Sequence, residues 1–244
     1  MTNLNDPKAE LLRLAGLAGQ AAEALKKDSQ GAETFSGLLE TPAARDAALS
    51  SGPLSKSEGD ALDLFRAEIC ECQKCPLGAA RKKFVFGEGN HSPSLVFLGD
   101  IPETDDDLQG RPFRGPAGQL FTRILSAMNL KREDVYVLNL VKCRPPQGRP
   151  ASESEIAACA PYWKRQLELL KPKVACALGE AAAEALGFGE GALKESPKRF
   201  HDFGGIPVLA TWHPSQVLKN EGLKRQVWDD MKTLLKRLES AQGR

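Results

Sequence analysis

No stretch of this 244-residue chain supplies the roughly 18 uninterrupted apolar residues that a membrane helix needs. The amino end, MTNLNDPKAELLRLAG, has no basic start leading into an apolar block, so a secretion signal is not expected. No internal repeat is found, which excludes collagen and coiled-coil fibres. Neither sign of charge prevails: 33 Lys and Arg stand against 32 Asp and Glu, so the net charge of +1 names no partner. Aromatic residues are few, at 6%, yet apolar residues reach 41%, too many for a fully disordered chain. What remains is expected to be a soluble globular chain, long enough for one domain with a tail or for two small ones.

The charge is unevenly spread. Residues 1–64 hold ten acidic and six basic side chains, which leaves the remainder at +5 and permits a polyanionic ligand. Residues 5–28 place Leu11, Leu14, Leu17, Ala18, Ala21 and Leu25 at helical spacing, and residues 29–58 are rich in Ser, Gly, Ala and Pro. An N-terminal helix plus flexible linker over 1–58 is therefore expected, either a poorly ordered extension or a partner-binding helix. From about residue 59 the texture changes to one domain. Short apolar runs, Leu95–Leu98, Val135–Val141, Val174–Leu178 and Ile206–Thr211, alternate with helical patterns. Continuous apolar strands separated by helices predict a mainly parallel, four-stranded sheet covered on both faces, an α/β/α sandwich. Ligands in such sheets bind at the carboxyl ends of the strands. That rule selects the segments after Leu98, NLVKCRPP, and WHPSQ.

Six cysteines without an export signal are not expected to form structural disulfides. Cys176 lies inside the apolar run VACAL and reads as a small core residue. Cys72 and Cys75 form a C-x-x-C pair, with Cys143 and Cys159 as distant candidates to complete four thiolate ligands. Zinc and iron–sulfur clusters both accept four thiolates. Cys70, two residues before Cys72, competes for a place in the set.

Seven segments occur in order: VFGEGN (85–90), LVFLGDIP (95–102), QGRPFRGPAGQL (109–120), VYVLNLVKCRPP (135–146), ESEIAACAPY (153–162), KPKVACALGEAAA (171–183) and TWHPS (211–215). Together they resemble the family 4 uracil-DNA glycosylases, across about residues 65–240. The resemblance implies a uracil-DNA glycosylase-like domain holding a [4Fe–4S] cluster on Cys72, Cys75, Cys143 and Cys159. The cluster's role in that family is structural. It implies a cytoplasmic, nucleoid-associated monomer acting on DNA that contains deaminated bases. Phe113 then stacks on the flipped pyrimidine, and Asn139 pairs with its N3–H and O4. His213 hydrogen-bonds O2 of the leaving base, with Gly99 and Ile101 beside it. Pro214 and Ser215 open a loop entering the minor groove, with Val217 or Leu218 as a wedge. Arg144, Lys142 and Lys219 are candidate phosphate contacts.

The first motif departs from the family's Gly-Glu-Ala/Gly-Pro-Gly. Here it reads Gly99-Asp100-Ile101-Pro102-Glu103. Asp100 keeps a carboxylate one methylene shorter, Ile101 adds a branched side chain near the base, and Glu103 adds negative charge where DNA should pass. The stretch LKESPKRFHDFGG also lacks the Arg-Gly pair expected before the last strand. The expected activity is hydrolysis of the N-glycosidic bond of uracil in DNA, with Asp100, Asn139 and His213 as catalytic residues. A pocket shifted toward hypoxanthine or xanthine, or a catalytically weak binding module for damaged or single-stranded DNA, are the competing readings.

Overall fold

The computed structural model describes residues 58–195 and 199–242. The N-terminal helix and linker expected from sequence lie outside them. In chain order the elements are α1 (Glu58–Ile69), α2 (Leu77–Ala80), β1 (Glu88–Gly89), β2 (Leu95–Gly99), α3 (Thr104–Gln109), α4 (Pro116–Ala127) and β3 (Tyr136–Asn139). A 3-10 turn (Pro146–Gly148) then leads to α5 (Glu153–Leu170), β4 (Val174–Leu178), α6 (Glu180–Ala185), α7 (Ala192–Glu195), β5 (His201–Phe203) and β6 (Ile206–Thr211). The chain closes with α8 (Pro214–Lys219), a second 3-10 turn (Glu221–Leu223) and α9 (Lys224–Gln242).

The sheet has six strands in the order β1-β3-β2-β4-β6-β5. Its four central strands, β3, β2, β4 and β6, are parallel and coincide with the four apolar runs. The two additional strands, β1 and β5, pair antiparallel at the edges. Their sequences, EG and HDF, are too short and too polar to carry a period, which is why the sequence predicts four strands and not six.

Alternation along the strands divides the core in two. Val96, Leu98, Tyr136, Leu138, Ala175, Ala177, Val208 and Ala210 pack on one face with α1, α5 and α6. Leu95, Phe97, Val135, Val137, Val174, Cys176 and Leu209 pack on the other with α4, α8 and α9. Helix α5 begins at a capping box: Glu155 accepts from the Ser152 amide at 2.8 Å while its own amide donates to the Ser152 hydroxyl at 3.3 Å. Arg149 grips the same carboxylate with two bonds of 2.8 and 2.7 Å and holds it down to about 2. This start fixes where Cys159 falls on α5.

Phe97 is fully buried and meets Phe121 of α4 edge-to-face, centroids 5.0 Å apart. Phe97→Ala should cost about 3–5 kcal/mol, read as a lowered urea midpoint with an unchanged slope.

Candidate active site and cysteine centre

The parallel register sets Gly99, the last residue of β2, directly opposite Asn139, the last residue of β3. A Cβ on Gly99 would stand 2.5 Å from Asn139 Oδ1 and 2.9 Å from Phe113 Cζ, so the glycine is what lets these two side chains meet. The Phe113 ring lies 5.3 Å from the His213 ring, centroid to centroid. The structure therefore brings Phe113, Asn139 and His213 together from the β2–α4 connection, the end of β3 and the end of β6. Asn139 is 1% exposed, and neither its Oδ1 nor its Nδ2 has a hydrogen-bond partner among the described residues. A buried amide in that condition costs about 1–3 kcal/mol per group unless a ligand satisfies it. The arrangement suits an occupant with one donor beside one acceptor.

His213 begins α8. Its Nδ1 accepts from the Ser215 amide at 3.2 Å, and Gln216 Oε1 accepts from the His213 amide at 3.0 Å. Since an amide N–H only donates, Nδ1 carries no proton and a neutral ring carries its proton on Nε2. The Ser215 hydroxyl also lies 2.7 Å from Nδ1. Burial pulls the imidazole down to about 4. His213 is thus a neutral donor at working pH.

Asp100 follows Gly99 and reaches across to α6, where its Oδ1 accepts from the Ala182 amide at 3.0 Å. Its other oxygen lies over Gly179 (φ +99°), at which a Cβ would approach it to 2.6 Å. The carboxyl is pushed up to about 7, chiefly by burial, against the Ala182 hydrogen bond and helped by Glu184 and Glu180. It is consequently poised between acid and base near neutrality.

A cleft of about 460 Å³ opens over this edge, lined by Asp100, Ile101, Glu103, Arg144, His213, Ser215 and Lys219, among others. Leu218 projects from α8 at 45% exposure, next to exposed Lys219. Val217 is 2% exposed and packs into the core with α9, so it is unavailable as a wedge. Pro214 is likewise buried, as the first residue of α8. Lys142 is not a surface phosphate contact: it is wholly buried, with Nζ donating to the Asn139 carbonyl at 2.9 Å. Arg144 lines the cleft with a buried Nε that has no partner among the described residues. Glu103 is pushed up by burial and by Asp106 and Asp105, partly offset by Lys219.

Four of the six cysteines sit on the α1–α5 face. Cys143 and Cys159 belong to its buried cluster, and half-buried Cys72 and Cys75 pack against it. Cys72 Sγ accepts from the Tyr162 hydroxyl at 3.1 Å and the Lys74 amide at 3.4 Å; Cys143 Sγ accepts from Arg81 Nη1 at 3.5 Å. Burial raises Cys143 to about 11, with Cys159 and Cys75 adding to the rise and Arg81 opposing it. Burial raises Cys159 as well, and a polycationic centre would take the charge of these buried thiols, so the donor set fits a thiolate-ligated metal group. Among the described residues no three His, Cys, Asp or Glu side chains are arranged to hold one metal ion. Cys176 faces the opposite core cluster, and the Cys70 thiol turns back to the Ala67 carbonyl at 3.3 Å.

Sequence reasoning missed the residues that brace Phe113. Asp106, Arg132 and Glu88 hold its segment, yet Asp106 sits in an acidic run that reads as solvated charge, and Glu88 lies in a motif whose pattern states no chemistry.

An α/β sheet with an aromatic ring, a carboxamide and a neutral imidazole gathered at its carboxyl edge defines the class of protein. Residues 86–232 match the profile of the uracil DNA glycosylase superfamily. The type-4 uracil-DNA glycosylase of Saccharolobus solfataricus is 37% identical over 190 residues, 74% of this chain and 88% of the relative. That of Archaeoglobus fulgidus is 37% identical over 183 residues, 72% and 92% of the two chains. That of Thermotoga maritima is 38% identical over 177 residues, 70% and 91%. The chain belongs to the uracil DNA glycosylase superfamily and, within it, to the type-4 uracil-DNA glycosylases.

Two titrations test the site electrostatics. Nitrogen-resolved NMR should show His213 titrating near 4 with its proton on Nε2. Because the folded value is depressed below the unfolded one, near ~6.5, this group should cost stability as pH falls through that interval. Asp100 is shifted the other way. Its contribution is full below the unfolded value near ~3.9 and is lost as pH rises through about 7.

Proposed function

We propose that this protein removes uracil from DNA by hydrolysing its N-glycosidic bond, leaving an abasic site. The observation that carries the reading is the buried, unpartnered amide of Asn139 beside the Phe113 and His213 rings. Uracil offers N3–H and O4, which the amide's oxygen and nitrogen can satisfy together. Cytosine presents the reversed pattern and would leave both amide atoms opposed. Phe113 supplies a π face for the everted base.

In the reaction the C1′–N1 bond breaks and its electron pair leaves with the base. His213 Nε2–H donates to O2 of the uracil anion; a neutral imidazole serves because hydrogen bonding, not proton transfer, is required. The sugar is left with cation character. Ionised Asp100 lies on the cleft wall to stabilise that charge and to take a proton from the water whose oxygen bonds to C1′. Arg144, Ser215 and Lys219 contact the phosphates, and Leu218 enters the stack as the base leaves. Cys72, Cys75, Cys143 and Cys159 would hold a [4Fe–4S] cluster, a reading their thiol chemistry and shared face of the sheet support. These four ligands would thereby join the turn after α1 to α5 and to the segment following β3, a structural tie outside the bond-breaking step.

Cluster-loaded protein should cleave a uracil-containing oligonucleotide at the uracil after alkali treatment. His213→Ala should lower the rate by about a hundred- to a thousandfold. The rate should rise with pH through about 7 as Asp100 ionises. Absence of strand breaks, with binding retained, would favour a damaged-DNA binding module. Because Ile101 lines the cleft, the panel should include hypoxanthine and xanthine, and preference for either would mark a shifted pocket. Purified protein should be brown, and Cys143→Ser should lose colour and stability together.

A further inference from the structure

Phe113 is the one aromatic residue with a left-handed backbone among the described residues, at φ +56°. That conformation costs an L residue about 1–2 kcal/mol, so the surroundings must impose it. On the amide side, the buried Asp106 carboxylate accepts from the Arg114 amide at 2.6 Å, from the Phe113 amide, and from the Glu103 amide at 3.1 Å. On the carbonyl side, Arg132 donates to Pro112 O at 2.9 Å and to Phe113 O at 3.4 Å. Gly118 of α4 lies so close that a Cβ there would stand 1.8 Å from Phe113 O.

Arg132 is itself held. Its Nε and Nη2 donate to Glu88 Oε1 at 3.1 and 3.0 Å, and the same carboxylate pairs with Arg111 and Arg114. The guanidinium side chains of Arg111, Arg114 and Arg132 thus converge on one acid, with Arg132 and Glu88 13% and 14% exposed. Arg111 and Arg114 flank Pro112-Phe113 in sequence, so a single carboxylate anchors both ends of the segment and the arginine that grips its carbonyls. Glu88 reaches this position from the two-residue edge strand β1, paired with β3 at Val137.

We propose that Glu88 is a positioning residue for base recognition. By fixing Arg132, Arg111 and Arg114 it holds Phe113 in the left-handed conformation that aims its ring between Gly99 and His213. This rests on the assignment of Phe113 as the stacking residue, and the consequence is directional. Glu88 is not among the residues lining the cleft, so its effect should pass through Phe113.

The test is a double-mutant cycle with Glu88→Ala and Phe113→Ala, read as the single-turnover rate at saturating enzyme on a uracil oligonucleotide. Affinity for uracil-free DNA is measured separately, because removing an acid raises the local positive charge. Glu88→Ala should lower the rate by about a hundredfold, the cost of a displacement near 1 Å. In the Phe113→Ala background it should change the rate by no more than about twofold, since the coupled partner is already gone. Backbone chemical shifts and the amide–Hα coupling of Phe113, recorded without substrate, should leave their left-handed values in Glu88→Ala. Glu88→Gln, which keeps the shape and removes the charge, runs through the same measurements should the alanine variant not fold. An unchanged rate, equal losses in both backgrounds, or an unaltered Phe113 backbone would each overturn the proposal. If the wild type releases no uracil, the proposed function fails, and the NMR arm alone still decides whether Glu88 holds Phe113.

Discussion

The site depends on a space that a methyl group would fill. Strands β2 and β3 end in register, and the missing side chain of Gly99 allows the Asn139 amide and the Phe113 ring to occupy the same narrow volume. Asn139 is fixed by the pairing of β3 with β2, and by Lys142, whose Nζ donates to its carbonyl from within the protein. Phe113 is fixed by backbone hydrogen bonds and by Gly118. His213 is fixed by the first turn of α8. Asn139 ends a strand and His213 begins a helix, whereas Phe113 lies in the loop before α4 and is held there by hydrogen bonds to its backbone.

Burial then sets the protonation states. The same exclusion of water that leaves Asn139 unpaired keeps His213 uncharged and lifts Asp100 to about 7. Asp100 also accepts from the third amide of α6, which steadies the carboxylate without fully restoring its acidity. The shorter side chain in place of the family's Glu therefore belongs to a coherent local structure: Gly179 leaves room for it, and α6 supplies a donor for it. Charge on the protein surface plays a different part. Lys219 and Arg144 stand at the cleft beside Glu103, so attraction and repulsion toward a polyanion are both present at its rim.

The four central strands were legible because each is a short, largely apolar run between helical patterns, and the strand-end rule selected the segments that hold Asp100, Asn139 and His213, the residues themselves coming from the family resemblance. Cys72 and Cys75 were legible through spacing, and Cys143 and Cys159 through the family resemblance; the fold sets Cys159 on α5 and Cys143 after β3, on one face of the sheet. What sequence could not supply was burial. Lys142 and Val217 belong to residue types that suit a DNA-facing surface, yet one is enclosed beneath Asn139 and the other packs against α9. The edge strands escaped notice because two or three residues carry no period. The bracing of Phe113 escaped notice because its hydrogen bonds go to backbone atoms, and backbone acceptors and donors are the same at every position in a sequence.

The left-handed backbone at Phe113 sets two costs against each other. Glycine or asparagine would relieve about 1–2 kcal/mol of backbone strain. The ring, however, is 6% exposed and packs beside Phe121, and its loss would forfeit about 3–5 kcal/mol. Packing outweighs strain, so a screen for heat resistance would retain the aromatic side chain despite the contorted main chain beneath it.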